Sequence, residues 1–406
     1  MQPRMTNTAA KKMLKKAAVT PFRKTYQLLS LFSIKGKPKV DLNQVKKILI
    51  ISLHYTGDVL FTTPVIRAVK QALPKATIDL WVKSRSEDIV KDNPHINKLY
   101  VYDHIVTRRY EDHYPFDLGE KWKLLKQFRN EQYDLVIDFS GVIGSTLFTY
   151  FMKPKYSVGF NKQGLGFLFT KEAEKSGKGH LVDQYLLALE RLLDIQSTDS
   201  SLELRIDEET EDFVEELFRV KKIDSERFIL CLHTTAGWKA KEWTASKFRE
   251  LIQWIQSKLS SCQIIIIGDK ADVKKVTRIC EGLAQKPIDF VGKLSLAETS
   301  AAIAKSHLFI GSDSAPLHIA AALGVPTIGL FGPTNPLFSA PRGKQHVYLY
   351  KVLDCSAGKD EQYCTREAGF TCTTWDCMKL ISVAEVFHYV SMAVESHISN
   401  QVEKIC

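Results

Sequence analysis

The chain lacks several features that would assign it to a common protein class. Its 406 residues contain no apolar run long enough to cross a bilayer as a helix, which takes about 20 residues. No Gly-x-Gly-x-x-Gly follows the first predicted strand, residues 46–52, which disfavours a dinucleotide oxidoreductase. No Cys-x-x-Cys pair occurs, and zinc ribbons are built from such pairs. A membrane-spanning protein, a Rossmann dehydrogenase and a zinc ribbon are therefore all disfavoured.

Acidic residues are nearly missing from the first 50 positions, where twelve Lys or Arg stand against the single Asp41. The rest of the chain has 44 bases and 45 acids, so the net charge of +10 comes from the first 50 residues, and most of it lies in an N-terminal extension, residues 1–43. Within residues 9–33 the lysines and the apolar side chains take opposite sides of a helix, a pattern that suits an anionic membrane surface. A solvated basic tail fits the same pattern. The neutral body argues against a nucleic-acid partner.

A secretory signal is not predicted, because the apolar segment 28–32 is too short and no cleavage site follows it. We therefore expect a cytoplasmic protein, peripheral on the inner face of the inner membrane. The cysteines agree with a reducing compartment. Cys231, Cys262 and Cys280 lie in apolar patterns typical of buried thiols.

Four more cysteines lie near the C-terminal end, separated by eight, seven and four residues: Cys355, Cys364, Cys372 and Cys377. We expect unpaired thiols and no metal, and the spacing leaves a metal site open as the alternative. The sequence does not show what this cluster does.

Strand and helix patterns alternate along the whole chain, which predicts an α/β fold with parallel sheets. Residues 44–205 form a first domain and residues 206–382 a second, with the boundary in the polar stretch 195–206. In the first domain a helix is predicted from Gly57 past Pro64 to Leu73. Residues 383–406 carry a last helix, which we expect to pack back on the first domain.

The most informative stretch runs from Gly311 to Thr334 and predicts a strand, a polar turn, a helix and a second strand. The turn, residues 312–315, then lies at the carboxyl end of a strand and the amino end of a helix, where free N–H groups favour an anion. Asp313 would repel a phosphate, so hydroxyl groups are its better partners. A phosphate together with hydroxyls indicates a nucleotide sugar. His318 fits either a core histidine or a phosphate ligand.

A second polar segment, residues 233–243, also follows a predicted strand. Its hydroxyls at Thr234 and Thr235 and its ammonium groups at Lys239 and Lys241 suit a diphosphate without requiring a metal. A solvated loop is the alternative.

The third polar segment is His54 to Asp58, after the first predicted strand. Asp58 fits a helix cap. It also fits a general base that takes a proton from an acceptor hydroxyl, and spacing alone favours the cap.

Together these three segments resemble glycosyltransferase family 9, the heptosyltransferases of the lipopolysaccharide inner core, over residues of about 46 to 385. The resemblance rests on the strings GDVL with TTPV from Gly57, HTT with KxW from His233, and DSAPLHIAAA from Asp313. The polar His54-Tyr55 and the SAPLH string are most similar to the heptosyltransferase III branch.

The resemblance implies a GT-B fold, with two Rossmann-like domains facing across a cleft, and an inverting, metal-independent transfer of heptose from ADP-heptose to a hydroxyl of the core glycolipid. It makes Asp58 the base, and it makes Lys241, with Thr234 and Thr235, a ligand of the diphosphate; no cofactor is implied beyond the ADP-sugar co-substrate. The remaining donor-site residues that it implies are Asp313, Ser314, Ala315 and His318.

Some assignments stay open. Lys239 competes with Lys241, which we prefer because it precedes Trp243. The acid on the adenosine side is Asp269 or Asp272. Arg108 and Arg109 are candidate contacts for a phosphorylated acceptor, whose binding residues are otherwise unassigned. The alternative function is another GT-B sugar transferase with a different nucleotide sugar or acceptor.

Overall fold

The computed structural model describes residues 38–103, 118–173 and 177–405, with the side chains of 118 and 400–405 excepted. The predicted membrane segment, residues 9–33, and the candidate acceptor contacts Arg108 and Arg109 lie outside the described residues. None of the helices that the structure describes is both long and apolar enough to cross a membrane.

Two six-stranded parallel sheets organise the described chain, which confirms the predicted fold class. Their strand orders are β3-β2-β1-β4-β5-β6 and β12-β11-β10-β7-β8-β9. Numbered within each half, both orders are 3-2-1-4-5-6, the doubly wound Rossmann order. The first six strands are β1 Lys47–Ile51, β2 Thr77–Val82, β3 Lys98–Val101, β4 Leu135–Asp138, β5 Tyr156–Phe160 and β6 Lys171–Ala173. The other six are β7 Phe228–His233, β8 Cys262–Ile267, β9 Ile288–Asp289, β10 Leu308–Ser312, β11 Thr327–Phe331 and β12 His346–Tyr350.

Helices connect these strands and cover the sheets. Those of the first half are α1 Thr56–Leu60, α2 Thr63–Ala72, α3 Glu87–Val90, α4 Leu118–Asn130, α5 Ile143–Met152 and α6 Leu181–Leu193. Those of the second are α7 Glu208–Val220, α8 Ala245–Lys258, α9 Val273–Cys280, α10 Leu296–Ala304, α11 Ala315–Ala322, α12 Pro336–Ser339, α13 Asp376–Lys379 and α14 Val383–Ile405. The predicted boundary, residues 195–206, contains no helix or strand.

The predicted helix from Gly57 to Leu73 is two helices, α1 and α2, because the chain breaks at Phe61–Thr62. Pro64 has no N–H to donate into a continuous helix. The Thr62 hydroxyl donates to the Val59 carbonyl at 2.7 Å and the Thr63 hydroxyl donates to the Leu60 carbonyl at 2.8 Å. The Thr63 hydroxyl thereby satisfies the Leu60 carbonyl, whose donor in a continuous helix would be the N–H that Pro64 lacks, while the Val59 carbonyl also accepts from the Thr62 N–H at 2.9 Å.

The last helix, α14, packs on the second domain, whereas we expected it to pack back on the first. Its buried side chains Val386, Val390 and Val394 belong to the same apolar cluster as Phe248 and Ile252 of α8. The reason lies in the valines at helical spacing, which give the helix one apolar face that packs beside α8. The first domain has no part in that cluster.

The two domains meet through buried rings and exposed ion pairs, among them Arg342–Asp183 and Lys178–Asp360. Phe61 of the first domain lies 4.8 Å, centroid to centroid, from His318 of the second. Nε2 of His180 lies 3.3 Å from the Ala340 carbonyl. Arg342 forms a two-pronged pair with Asp183, with its Nη1 at 2.8 Å from Oδ1. These contacts hold the carboxyl-end edges of the two sheets toward each other.

Candidate active site

The three polar segments lie where strand order reverses in each sheet. In the second sheet β7 and β10 are neighbours, with residues 233–235 following one and 312–315 following the other. In the first sheet the corresponding neighbours are β1 and β4, and His54 to Asp58 follows β1. Ligands of doubly wound sheets bind outside these reversal points. The sequence therefore located three loops of one candidate site.

Asp58 lies in the first turn of α1, partly exposed, beside the second domain. The helix does not use it as a side-chain cap, because its N-cap residue is Tyr55 and no side chain caps it. Gly57 is so close to α11 that a Cβ on it would lie 3.3 Å from Cδ2 of His318. Burial, together with the nearby Asp58 carboxylate, raises the pKa of Tyr185 well above its ordinary value. Asp58 therefore lies at the junction, near buried Tyr185 and next to Gly57, which approaches His318 and Ala315 of the second domain.

Asp313 is the most heavily bonded of the predicted residues. Its Oδ2 accepts from Lys241 Nζ at 2.5 Å and from the Thr334 hydroxyl at 2.7 Å. Its Oδ1 accepts from the Ser339 hydroxyl at 3.2 Å and lies 3.3 Å from His318 Nε2. Burial alone would raise the pKa of this carboxyl, but Lys241 and His318 hold it well below its usual range. The carboxylate thus stays ionised.

These bonds refine the role of Asp313. Its side chain is buried, and the hydroxyl partners that it has in the structure belong to the protein itself, to Thr334 and Ser339. Sequence reasoning did not find these two residues, because 21 and 26 positions separate them from Asp313. A Thr-Asn-Pro turn after β11 was the one available signal.

Lys241 is held in place from three directions. Its Nζ donates to both the carboxylate and the backbone carbonyl of Asp313, the latter at 3.1 Å. It also lies 4.3 Å from the centroid of the Trp238 ring. Lys239 points elsewhere, with its Nζ 4.8 Å from the ring centroid of Trp375. The structure thus separates the two lysines that sequence reasoning had to choose between, and it places Lys241 beside the Asp313 turn.

Hydroxyl groups from the loops after β7 and β10 lie on either side of a buried histidine. Thr235 Oγ1 lies 3.2 Å from Nε2 of His233, and Ser314 Oγ lies 3.4 Å from its Nδ1. Burial lowers the pKa of His233 to about 4, so the ring is neutral at physiological pH. The fully buried Thr234 hydroxyl has no hydrogen-bond partner among the described residues. A buried hydroxyl without a partner costs about 1–3 kcal/mol.

Two further polar groups near these loops share that property. The Ser312 hydroxyl and the Trp238 indole N–H are buried, and neither has a hydrogen-bond partner in the part of the chain that the structure describes. Together with Thr234 they place three unsatisfied polar groups around the reversal point of the second sheet. Such a group of polar atoms is typical of a site that takes a polar ligand.

The amino end of α11 closes the site on the side of the first domain. Ser314 occupies the N-cap position without using its hydroxyl to cap, and Pro316 lies in the first turn. Ala315 is partly exposed and close to Gly57, whereas His318 is buried against Phe61 and Asp313. Ser314 and Ala315 therefore present backbone to the junction, while His318 lies beneath it.

Asp269 and Asp272, the two candidates for the adenosine side, form a capping box after β8. Asp269 accepts from the N–H of Ala271 at 2.7 Å, and Asp272 accepts from the N–H of Asp269 at 3.1 Å. Asp269 is exposed and Asp272 is half-buried. The structure places both beside β7, and the choice between them stays open.

A second buried acid, Asp138, lies at the carboxyl end of the central strand β4 of the first sheet. Asp138 accepts from the N–H groups of Ser140 and Gly141 and from the Ser145 hydroxyl at 2.6 Å. Burial raises its pKa to about 6. The turn so held directs the Phe139 carbonyl toward Nε2 of His54 at 2.9 Å.

Lys162 also contacts the Phe139 carbonyl and His54. Its Nζ donates to the Phe139 carbonyl at 3.1 Å and lies 3.3 Å from Nε2 of His54. Sequence reasoning missed Lys162, because the β5 strand before it was not predicted.

The four C-terminal cysteines approach one another in space, around a small cavity that Trp375 and Arg366 also line. The seven cysteines within the described residues are all free thiols. Burial raises the pKa of Cys377 to about 11. Within the described ranges, no group of three or more His, Cys, Asp or Glu side chains is placed to hold a metal ion.

Comparison with known proteins gives one family match and close relatives. The sequence model described as glycosyltransferase family 9 (heptosyltransferase) matches residues 121–367. Lipopolysaccharide heptosyltransferase 3 of Escherichia coli strain K12 is 31% identical over 299 residues, which span 71% of this chain and 83% of that protein.

Solved structures share the fold. The glycosyl transferase family 9 protein from Veillonella parvula superposes with a TM-score of 0.75 at 21% identity, over 89% of this chain and 100% of that one. The E. coli heptosyltransferase WaaC with ADP superposes with a TM-score of 0.63 at 19% identity, over 86% of this chain and 99% of that one. The expected GT-B arrangement is thereby confirmed.

Proposed function

The chain belongs to glycosyltransferase family 9, and from that membership we propose that it transfers heptose from ADP-heptose to a hydroxyl of a lipopolysaccharide core glycolipid. The relative of 31% identity is a lipopolysaccharide heptosyltransferase, and a solved family structure was obtained with ADP. We place the reaction in the cytoplasm, at the inner face of the inner membrane, where a membrane-anchored acceptor would be presented.

The observation that supports this proposal best is the opposition of Asp58 and the Lys241–Asp313 pair across the domain junction. A carboxylate on one domain and an ammonium on the other are the two groups that a displacement at a sugar-diphosphate needs. Gly57 brings the first within contact of α11, and Asp313 fixes the second.

In this mechanism Asp58 accepts the proton of the acceptor hydroxyl as its oxygen attacks the anomeric carbon. The bond from that carbon to the diphosphate oxygen breaks on the opposite face, so the configuration inverts. Lys241 and the N–H groups at the amino end of α11 stabilise the charge that develops on the departing ADP. The ammonium group serves this purpose without a metal, so turnover is expected to persist in a chelator.

The donor would lie along the loops after β7 and β10. Thr234, Thr235, Ser314 and Ala315 surround the diphosphate in this proposal, with His318 and Asp313 behind them as supports for Lys241. Because Thr234 and Thr235 are buried in the structure, the donor reaches their hydroxyls only after a small movement of residues 234–238. That loop carries the exposed Gly237, whose Cβ position is open.

The test uses purified protein, ADP-heptose and truncated core glycolipids, with the product read by mass and its anomeric configuration by NMR. Asp58→Asn removes the base with little change in volume, so we expect turnover to fall at least a hundredfold, within the range of general base catalysis. ADP binding by calorimetry should remain. Asp212→Asn on exposed α7 is the matched control, with full activity expected.

Near-normal turnover of Asp58→Asn would refute the base assignment. Binding of UDP or GDP in preference to ADP would refute the donor and favour another GT-B sugar transferase. A retained anomeric configuration would refute the single displacement.

A further inference from the structure

Helix α5, Ile143–Met152, exposes apolar side chains on its outer face, where an ordinary surface helix exposes polar ones. Four large apolar side chains at positions i, i+4, i+7 and i+8 share its outer face, and between 37% and 52% of each is exposed: Ile143, Leu147, Tyr150 and Phe151. The helix contains no charged residue. A single exposed apolar residue needs no explanation, but a contiguous face of them marks a contact surface.

The inner face of the same helix is partly polar. Ser145, Thr146 and Thr149 are buried against the first sheet beside Phe148 and Met152. The Ser145 hydroxyl is used, since it donates to Asp138. Packing of the core therefore does not account for the apolar side chains that face outward, because three hydroxyl side chains occupy part of the buried face.

The neighbouring helix, α4, extends this surface. The two helices pack side by side, with the rings of Phe128 and Phe148 5.7 Å apart, and 55% of Trp122 on α4 is exposed. Basic residues are frequent in α4 and in the segment that follows α5. Helix α4 and residues 143–155 together carry six Lys or Arg and one acid, Glu120. This local excess contrasts with the neutral body of the chain.

The surface begins at the rim of the candidate active site. Helix α5 starts two residues after the turn that Asp138 holds, and that turn directs the Phe139 carbonyl toward His54 and Lys162. Its amino end is therefore at the carboxyl-end edge of the first sheet, on the acceptor side of the junction. A partner that covers α5 would reach the entrance of the acceptor site.

From this juxtaposition we propose that the exposed faces of α4 and α5 dock on an anionic lipid bilayer, with the apolar side chains of α5 and Trp122 in the interface and the lysines of α4 and of the segment after α5 on the lipid phosphates. Exposed apolar side chains together with an excess of basic residues are the chemistry that such a surface binds. The purpose of docking, to bring a glycolipid acceptor to the entrance of the site, rests on the proposed function. The docking itself does not.

The test is sedimentation of the full chain with vesicles that contain no glycolipid, either phosphatidylcholine alone or phosphatidylcholine with phosphatidylglycerol. We expect binding to the anionic vesicles that weakens with salt, and little binding to the neutral ones. Leu147→Glu/Phe151→Glu should weaken anionic vesicle binding at least tenfold. Phe213→Glu/Val220→Glu, on exposed positions of α7, is the matched control and should bind like the parent.

A second readout separates this proposal from the transfer reaction. With a water-soluble truncated acceptor the Leu147→Glu/Phe151→Glu variant should retain kcat and KM, which also shows that it is folded. With the glycolipid in vesicles its apparent KM should rise at least fivefold. If no chain transfers heptose but the vesicle binding behaves as stated, the proposed function fails and the docking surface stands.

Three results would overturn the docking surface. The first is unchanged vesicle binding of Leu147→Glu/Phe151→Glu, which would assign membrane contact to the basic extension alone. The second is equal binding of the parent to neutral and anionic vesicles. The third is a dimer of the parent at micromolar concentration that the variant abolishes, which would assign the surface to a second copy of the chain.

Discussion

At the scale of single residues, the candidate site combines groups that the sequence shows with partners that it does not. Lys241 and Asp313 were identified separately, from their places after predicted strands. Their contact could not be, because 72 positions separate them. The place that the fold gives the short 3-10 helix Lys239–Lys241 decides which lysine meets the carboxylate. Local pattern therefore finds the reactive groups, and only the tertiary fold selects their pairs.

The two lysines give a direct prediction. Lys241→Met keeps the length of the side chain but leaves the buried Asp313 carboxylate without its cation. We expect ADP affinity to fall at least tenfold, and the free energy of unfolding to fall by about 3 kcal/mol, the cost of breaking a buried pair. Lys239→Met, whose side chain lies over Trp375, should change neither by more than about 0.5 kcal/mol. Calorimetry and urea unfolding measure both quantities.

The reverse ranking, with Lys239→Met the weaker ADP binder, would move the diphosphate role to Lys239.

His233 predicts a pH dependence of stability. Its pKa is about 4 in the folded protein because it is buried, and about 6.5 in an unfolded chain. Between pH 4 and pH 6.5 the His233 ring therefore binds a proton in the unfolded chain but not in the folded one. The contribution of the neutral ring to the free energy of unfolding is complete above pH 6.5 and is lost as the pH falls toward 4. The loss approaches about 1.4 kcal/mol per pH unit. Comparing His233→Asn with the parent by urea unfolding at pH 7.5 and 5.0 isolates it.

The variant should lose less stability than the parent on acidification. The two chains have to be compared at each pH, because Asp138 also titrates in this range. Its pKa is raised to about 6 in the folded protein, so its protonation increases the free energy of unfolding as the pH falls. Equal losses in the two chains would contradict the assignment to His233.

At the scale of helices and strands, the sequence predicted the elements that follow an ordinary pattern. The helix 181–193 and the strands 228–233 and 327–331 have the predicted bounds. Helix α5 was missed because its exposed face is apolar and its buried face partly hydroxylic, so it has no helical signature of the usual kind. Strands β5 and β6 and helix α7 also went unpredicted. The break between α1 and α2 depends on side-chain bonds from Thr62 and Thr63 that periodicity does not report.

The contact of α1 with α11 gives a prediction at this scale. A Cβ at Gly57 would lie 3.3 Å from the end of the His318 side chain, so Gly57→Ala requires a shift of a few tenths of an ångström. Gly57→Val adds two methyl groups and should push the helices apart at a cost of about 1–3 kcal/mol. Because Asp58 moves with α1, we expect kcat to fall at least tenfold in Gly57→Val and less than threefold in Gly57→Ala.

Steady-state kinetics measures the effect, and far-ultraviolet circular dichroism checks that both variants fold. Full activity of Gly57→Val would show that the spacing of α1 and α11 does not limit the reaction.

At the scale of the whole molecule, two sheets of the same strand order bring their reversal points together. This arrangement was predictable from the alternation of strands and helices and from the family resemblance. The partners at the junction were not. His180 and Arg342 lie outside the motifs, Phe61 lies between two of them, and the contacts of all three depend on how the domains dock. The prediction that α14 packs back on the first domain was wrong for the same reason. Valines at helical spacing show that a helix packs against another element, but they do not show which element.

The exposed Arg342–Asp183 pair predicts an effect on the approach of the domains. Arg342→Glu places two acids together at the junction, while both side chains remain about half exposed. An exposed pair contributes up to about 1 kcal/mol, so we expect kcat/KM to fall up to about fivefold with little change in unfolding. Arg219→Glu, which breaks a pair within α7, is the matched control.

The difference in kcat/KM between Arg342→Glu and Arg219→Glu should shrink at 500 mM salt, because exposed charges are then screened. A loss of activity that salt does not reduce would show a structural cause.

The bond between Lys241 and Asp313 has one more consequence, for the rate at which ADP departs. A lysine side chain has roughly 2 kcal/mol of rotamer entropy to lose, and here the protein has already lost it on folding. In the proposed reaction the ammonium group would therefore meet each nucleotide in a single conformation. Because the Asp313 carboxylate bonds the same ammonium group, it would weaken the attraction of Lys241 for the phosphate oxygens of ADP, and the pair would thereby limit product inhibition.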